Sequence, residues 1–98
     1  MKSSSVPPGA AALRIRTVIV DDEPAARRGV RLLLERDGEI EIVGEAASGP
    51  DAAELIRREK PVLAFLDVQM PGCDGFETLA RVGQAAAPVV IFVTAYDE

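Results

Sequence analysis

Three acidic residues follow runs of apolar residues that have the composition of β-strands. Asp21 and Asp22 come directly after residues 15–20, and Asp67 closes the run 62–66. Neighbouring parallel strands end at the same edge of a sheet, so these carboxylates are expected to share one small site there. Two unit charges about 4 Å apart repel by roughly 4 kcal/mol at an effective dielectric near 20. Three acids therefore need a cation or bound protons, and Mg²⁺, which prefers oxygen ligands, meets that need.

Each member of this acidic group also has a simpler explanation. An Asp-Asp pair after a strand is more often a turn or a helix cap than a metal site, and Asp67 alone could be a turn residue that ends a strand. A third acid, delivered to the same place by a buried strand, favours the functional interpretation. Thr94 follows the last apolar run, 89–93, at the same edge, but a single threonine indicates little by itself.

Composition and charge exclude several classes of protein. With one cysteine and no histidine, the chain has no internal disulfide, no Cys/His zinc cluster and no histidine-based triad. A net charge of −5 disfavours non-specific binding to nucleic acid. No apolar run approaches the roughly 20 residues of a membrane-spanning helix, and the first residues lack the apolar core of a secretion signal. We therefore expect a cytoplasmic protein that binds neither membranes nor, through this segment, nucleic acid.

The pattern along the chain predicts alternating strands and helices. Small, polar and proline residues over 1–13 predict a disordered tail before a single domain over 14–98. Helices are predicted to begin near Pro24, Ser48 and Asp74. Strands are predicted over 15–20, 39–43, 62–66 and 89–94. Short connections between them favour right-handed crossovers, so the predicted fold class is α/β with a doubly wound parallel sheet.

The polarity of each element predicts how it packs. The alternating run 39–43 indicates an edge strand, whereas the continuous apolar run 62–66 indicates a central strand that is buried on both faces. The helices are expected to bury apolar stripes: Ala26, Val30, Leu33 and Leu34 in the first, Ala52, Leu55 and Ile56 in the second, and Phe76, Leu79, Ala80 and Gly83 in the third.

Three motifs, in their order and spacing, resemble the signatures of response-regulator receiver domains of bacterial two-component systems. They are VDDEP at 20–24, LDVQMPG at 66–72 followed by Asp74-Gly75, and VTA at 93–95. The resemblance covers about residues 14–98 and implies a flavodoxin-like receiver fold with strand order 2-1-3-4. The ending TAYDE also resembles receivers that carry a LytTR-type DNA-binding output domain.

A complete receiver is longer than this pattern. The family's fold continues with one more helix, a fifth strand and a final helix, so we expect these elements to be missing here. The segment would carry the lysine that bridges to the phosphoryl group and the aromatic residue of the family's switch. Phosphorylation of the chain is therefore expected to be slow and incomplete.

The resemblance implies roles for the residues of the acidic group and their neighbours. Asp67 would be the phosphoacceptor and a metal ligand. Asp22 would bind Mg²⁺ directly, Asp21 through water, and Gln69 through its backbone carbonyl. The phosphoryl group would be bound, and its presence reported, by the segment that contains Thr94 and Ala95.

The surface of the first helix resembles the family's kinase-docking face. The residues concerned are Arg27, Arg28 and Arg31, although arginines on a helix most simply form a solvated face. The partner would be a sensor histidine kinase or a phosphotransfer protein.

The expected function is acceptance of a phosphoryl group from a histidine kinase onto Asp67 with help from Mg²⁺. This is stoichiometric self-phosphorylation in a signalling switch rather than enzymatic turnover. An aspartyl-nucleophile phosphohydrolase is disfavoured, because Gln69 stands where such enzymes commonly have a second, acid-base Asp. The alternative that stays open is a phosphorylation-independent interaction module derived from a receiver.

The fourth strand is expected to mediate self-association. Its apolar run 89–93 would have an unpaired edge, and such an edge is a template for pairing with another chain. The sequence therefore predicts a homo-oligomer through this strand.

Overall fold

The computed structural model describes residues 14–68, 75–83 and 87–93, without the side chain of Phe76. Four strands alternate with three helices: β1 (Ile15–Val20), α1 (Pro24–Glu35), β2 (Ile40–Ala46), α2 (Gly49–Glu59), β3 (Leu63–Asp67), α3 (Gly75–Val82) and β4 (Val89–Val93). The strands form one parallel sheet in the order β2-β1-β3-β4. The predicted fold class and strand order are confirmed. The predicted tail over 1–13 lies outside the described residues.

The hydrophobic core lies between one face of the sheet and the helices α2 and α3. Alternate residues of the two central strands, Val18 and Val20 in β1 and Ala64 and Leu66 in β3, are at most 1% exposed. They form one cluster with buried residues of α2 and with Val82 of α3. Because side chains alternate across a strand, the residues between them face the other side of the sheet, where α1 contacts β1 and β2.

A β-bulge in β2 changes which side of the sheet its residues face. Thr17 pairs with Ile42, but the next residue, Val18, pairs with Gly44, so Val43 is an extra residue in the strand. The strand then continues to Ala46, three residues beyond the predicted end. The simple alternation that defined the prediction ends at the bulge, which is why the last part of β2 was missed.

Helix α2 follows its prediction closely. The side chain of Ser48 accepts a hydrogen bond of 3.3 Å from the amide of Asp51, as the capping pattern indicated. Ala52, Leu55 and Ile56 are buried, as predicted. The helix ends where Lys60 adopts the left-handed conformation, with φ 48°.

The prediction that α1 buries a stripe of apolar residues is wrong. Val30 and Leu34 are only half-buried, Ala26 is exposed, and Leu33 is 65% exposed. Within the described part of the chain, no residue of α1 is buried. The reason is that, among the described elements, α1 contacts mainly β1 and β2, so no second layer covers its outer side.

Two further packing predictions need correction. Only one face of β3 is fully buried, since Leu63 and Phe65 are half-buried. Among the α3 side chains that the structure describes, the buried ones are Thr78 and Val82, four positions apart on the side that meets α2. The others predicted for the α3 stripe differ: Leu79 is partly buried against the core, Ala80 is exposed, and Gly83 is an exposed residue after the helix with φ 83°.

None of the helices in the described segments combines the length and the apolar character needed to cross a membrane.

Gly44 is expected to be intolerant of a side chain. A Cβ atom at this position would lie 2.6 Å from Cδ1 of Leu55, which is itself buried in the core. Gly44→Ala should therefore destabilise the fold by about 1–3 kcal/mol, the usual cost of overpacking. Urea unfolding followed by circular dichroism would measure the change.

Gly29 provides a matched control within α1. A Cβ there would meet nothing within 4 Å, so Gly29→Ala should stabilise the fold by about 0.5–1 kcal/mol. In a Leu55→Ala background, Gly44→Ala should lose most of its cost. Equal effects of the two glycine substitutions would contradict the close approach of β2 and α2.

Candidate functional site

The sheet brings the three predicted acids together. β1 and β3 are neighbouring parallel strands, and Val20 pairs with Leu66. Asp67 is the last residue of β3, and Asp21 is the first residue after β1. One carboxylate oxygen from each of Asp21, Asp22 and Asp67 lies within 4.8 Å of the others. We call this group the acidic cluster.

The cluster is buried on one side and accessible on the other. Asp21 is 6% exposed, whereas Asp22 and Asp67 are half-buried. Two of the three carboxylates can therefore contact a ligand from solution, while the third forms the floor of the site.

Asp21 is held at three of its polar groups. Its backbone amide donates to the carbonyl of Ala46 at 3.1 Å, which ties it to the end of β2. Its carboxylate oxygen Oδ1 accepts from the amide of Glu23 at 2.9 Å. Its backbone carbonyl accepts from Nη1 of Arg27 at 2.8 Å, which ties it to α1. The position of this acid is thus fixed by β2, by the loop that follows it and by α1.

Burial and the neighbouring acids both disfavour the charged form of Asp21. Burial raises the pKa of this carboxyl, and the hydrogen bond from the Glu23 amide opposes the rise. The negative charges of Asp67, Asp22 and Glu23 add to the increase in the pKa. The site therefore holds Asp21 in a place where its charged form is disfavoured, and a bound cation would relieve that penalty.

The residues fit a small, hard divalent cation. Mg²⁺ binds oxygen ligands at about 2.0–2.1 Å, so two oxygens on opposite sides of one ion lie about 4 Å apart. The spread of 4.8 Å in the acidic cluster is close to this distance. Some of the three carboxylates could bind the ion directly and others through its water molecules, since Mg²⁺ usually keeps several waters.

Other predicted site residues lie outside the described part of the chain. They are Gln69, Thr94 and Ala95. Val93, the residue before Thr94, pairs with Asp67 across β3 and β4.

The three predicted docking arginines of α1 have different surroundings. Arg28 is exposed. Arg27 donates to Glu45 through Nε at 3.0 Å, in addition to its bond with Asp21. Arg31 forms ion pairs with Glu35, at 3.0 Å, and with Glu45. Their proposed contact with a kinase stays a prediction, but two of the three already bind acidic side chains of the same domain.

Glu45 is the residue near the site that sequence reasoning missed. It follows the bulge in β2 and pairs with Ile19 of β1, so its side chain lies on the α1 side of the sheet. There its two carboxylate oxygens bind Arg27 and Arg31, and the hydrogen bond from Arg31 raises the pKa of that guanidinium. The only signal in the sequence is the spacing of Arg27 and Arg31, which places both on one side of a helix.

Comparison with known proteins agrees with this geometry. The family model described as the response regulator receiver domain matches residues 17–98. The chain belongs to the response regulator receiver domain family. Membership of this family agrees with the order of the strands and with the position of the acids at the carboxyl ends of β1 and β3.

Among curated receiver proteins, the chain is 42% identical over 84 residues to the transcriptional regulatory protein BtsR of Salmonella typhi, a match that covers 86% of this chain. It is also 42% identical over 84 residues to a response regulatory protein of Shewanella oneidensis. The chain spans about a third of the length of these relatives, 35% and 36% respectively.

Solved receiver structures have the same architecture. The signal receiver domain of the response regulator NarL from Mycobacterium tuberculosis is similar with a TM-score of 0.77 and 41% identity, over 87% of this chain and 69% of that one. The response regulator domain of CheB from Thermotoga maritima is similar with a TM-score of 0.75 and 30% identity, over 83% of this chain and 60% of that one.

Removing the buried charge of Asp21 should stabilise the metal-free domain. Asp21→Asn keeps a side-chain oxygen that can accept from the Glu23 amide but removes a charge that burial disfavours. At neutral pH without divalent ions, the variant should unfold at a higher urea concentration than the wild type. In excess Mg²⁺ the order should reverse, because a cation that binds the native state stabilises it.

The same substitution should flatten the pH dependence of stability. The pKa of Asp21 is raised in the folded state. Its favourable contribution to the free energy of unfolding is therefore complete below the unfolded pKa and is lost as pH rises through the folded pKa. The metal-free wild type should lose this contribution, and Asp21→Asn should not. Glu54→Gln, at an exposed acid on α2, is the control and should leave the pH dependence of stability as it is in the wild type. The same pH dependence in the wild type and in Asp21→Asn would contradict the assignment.

Proposed function

We propose that this domain accepts a phosphoryl group on the carboxylate of Asp67 with assistance from Mg²⁺. The observation that carries the proposal is the convergence of Asp21 and Asp22 on Asp67, with carboxylate oxygens within 4.8 Å of one another. Membership of the receiver family supports it. The donor would be a phosphohistidine on a sensor histidine kinase or on a phosphotransfer protein.

In the proposed reaction, a carboxylate oxygen of Asp67 attacks phosphorus and forms an O–P bond. The P–N bond to the donor histidine breaks, and its electron pair stays on the imidazole nitrogen. Bound Mg²⁺ would neutralise the phosphoryl oxygens during this in-line displacement. Asp67 is suited to the attack because it is half-buried at a strand end, open to an incoming group yet fixed by the sheet.

The roles that we propose for the other site residues are those that membership of the receiver family implies. Asp22 would bind the ion directly, Asp21 through water, and the carbonyl of Gln69 would complete the protein ligands. Thr94 and Ala95 would bind the phosphoryl oxygens. Each molecule would accept one phosphoryl group, so we propose a signalling switch rather than a turnover enzyme.

We place this switch in the bacterial cytoplasm, as the input domain of a longer regulator. BtsR, a relative at 42% identity, is named a transcriptional regulatory protein, so control of transcription is the proposed output. The net charge of −5 supports a role in which other parts of the protein contact DNA. Of the three arginines on α1 proposed to contact a kinase, Arg28 is the exposed one.

Phosphorylation should depend on Asp67. Incubation with acetyl phosphate and Mg²⁺ should add one phosphoryl mass to the wild type and none to Asp67→Asn, because an amide oxygen is a poor nucleophile and forms no acyl phosphate. Asp22→Ala should keep the acceptor but lose most of the dependence on Mg²⁺. Intact-mass spectrometry at low temperature would measure all three proteins.

The matched control is Asp51→Asn, at an exposed acid on α2, which should label like the wild type. Phosphate on a serine or threonine, or labelling that survives Asp67→Asn, would overturn the proposal. A wild type that neither labels nor binds beryllium trifluoride, a phosphate mimic, would favour the phosphorylation-independent interaction module instead.

We also propose that the domain self-associates through β4. Among the described strands β4 pairs with β3 alone and forms an end of the sheet. Its residues Val89 and Ile91, on the face opposite the core, are 66% and 44% exposed. An apolar strand at a sheet edge favours pairing with a second copy of the same strand.

A charge on β4 should reduce self-association. Ile91→Lys is the suitable change, because Val90 packs against the core and a lysine there would disturb folding. Light scattering should show a mass above that of the monomer for the wild type and a shift toward the monomer for Ile91→Lys. Leu32→Lys, which alters a 57% exposed residue of α1, is the control and should leave the mass unchanged. A monomeric wild type at high concentration would contradict the proposal.

A further inference from the structure

Arg27 makes two contacts that connect α1 to the acidic cluster. Its Nε donates to Oε1 of Glu45 at 3.0 Å, and its Nη1 donates to the backbone carbonyl of Asp21 at 2.8 Å. The side chains of Arg27 and Glu45 are 22% and 28% exposed. The guanidinium therefore lies between the end of β2 and the loop that carries the acid pair.

The geometry of a guanidinium makes this contact directional. Its nitrogens form a rigid planar fork, so a carboxylate bound at one side fixes the direction of the donors at the other. Glu45 is itself held in place, because its second carboxylate oxygen binds Arg31. The donor that reaches Asp21 is therefore aimed by two further charged residues.

The carbonyl that Arg27 binds belongs to the peptide between Asp21 and Asp22. A peptide unit is planar, so fixing its oxygen also fixes the direction in which the chain enters Asp22. On the other side of Asp21, the amide is fixed by the carbonyl of Ala46 at 3.1 Å. Together the two bonds fix the backbone on both sides of Asp21, from which the two acidic side chains extend.

We propose that Arg27, held by Glu45, is a positioning residue that orients the Asp21–Asp22 peptide for binding of the divalent cation. The inference rests on the proposed Mg²⁺ site and adds to it a residue that does not touch the ion. It assigns to Arg27 a role inside the domain, separate from any contact with a kinase.

The sign of the effect of Arg27→Gln separates positioning from simple electrostatics. Arg27 is a positive charge close to a cation site, so its removal should strengthen cation binding if charge alone acted. If Arg27 positions the acids, its removal should weaken Mg²⁺ binding on the order of tenfold. This is the smallest loss of metal affinity that is typical when a residue that orients metal ligands is mutated. Arg27→Lys keeps the charge and loses the planar fork, so positioning predicts weaker binding here too, and electrostatics predicts no change.

Two other arginines allow matched comparisons. Arg31→Gln removes one partner of Glu45 but leaves the bond from Arg27 to Asp21, so it should weaken Mg²⁺ binding less than Arg27→Gln does. Arg16 makes the same pair of contacts as Arg27, to a carboxylate and to a carbonyl, but both are on Glu59 at the other end of the sheet. Arg16→Gln should lower stability and leave cation affinity unchanged.

The experiment is titration of each protein with Mg²⁺ by isothermal calorimetry, since the chain contains no tryptophan. Urea unfolding without Mg²⁺ would show how far each variant is destabilised, and the amide resonance of Asp22 should shift in Arg27→Gln but not in Arg16→Gln. Unchanged or tighter Mg²⁺ binding by both Arg27 variants, with binding and Asp67 labelling intact in the wild type, would overturn this inference alone. A wild type that binds no Mg²⁺ would overturn the proposed function with it.

Discussion

The main constraint on this site is that the sheet brings three carboxylates together and buries one of them. Asp21, Asp22 and Asp67 have oxygens within 4.8 Å of one another, and the buried Asp21 has a raised pKa because burial and its acidic neighbours disfavour its charge. Such a group tends to move apart or to take up a proton unless the backbone holds it. Hydrogen bonds to both backbone groups of Asp21 and to its carboxylate provide that restraint. The metal-free fold is therefore strained electrostatically at the place where a cation would bind.

The elements around the acidic cluster explain how the restraint is built. β1 lies inside the sheet, between β2 and β3, so its end is supported from both sides. The bulge at Val43 turns Glu45 toward α1 and Ala46 toward the core. Gly44 allows Leu55 of α2 to pack directly on β2. A single extra residue in an edge strand thus determines both the packing of α2 and the charge that meets Arg27.

Sequence reasoning succeeded where the signal was local and failed where it depended on distant parts of the fold. The bounds of β1, the Ser48 cap of α2 and the convergence of the three acids follow from residues near in sequence and from the rule that parallel strands end together. Glu45 was missed because a bulge resets the two-residue period on which strand prediction relies. The exposure of Leu33 was missed because an amphipathic pattern gives the side of a helix, while burial also requires a layer that covers it. Thr78 was missed because the predicted stripe of α3 was chosen from apolar residues alone.

The two ends of β1 show that the same kind of ion pair has different consequences at different places. At the start of the strand, Arg16 binds the carboxylate and the carbonyl of Glu59, the last residue of α2, and so satisfies a carbonyl that the helix itself leaves unpaired. After the end of the strand, Arg27 binds the carboxylate of Glu45 and the carbonyl of Asp21. The first pair attaches a helix to the sheet and lies at the edge opposite the acidic cluster. The Arg27–Glu45 pair is a similar stabilising contact. Because Arg27 also binds the peptide between Asp21 and Asp22, any change in its geometry moves the proposed ligands of the cation.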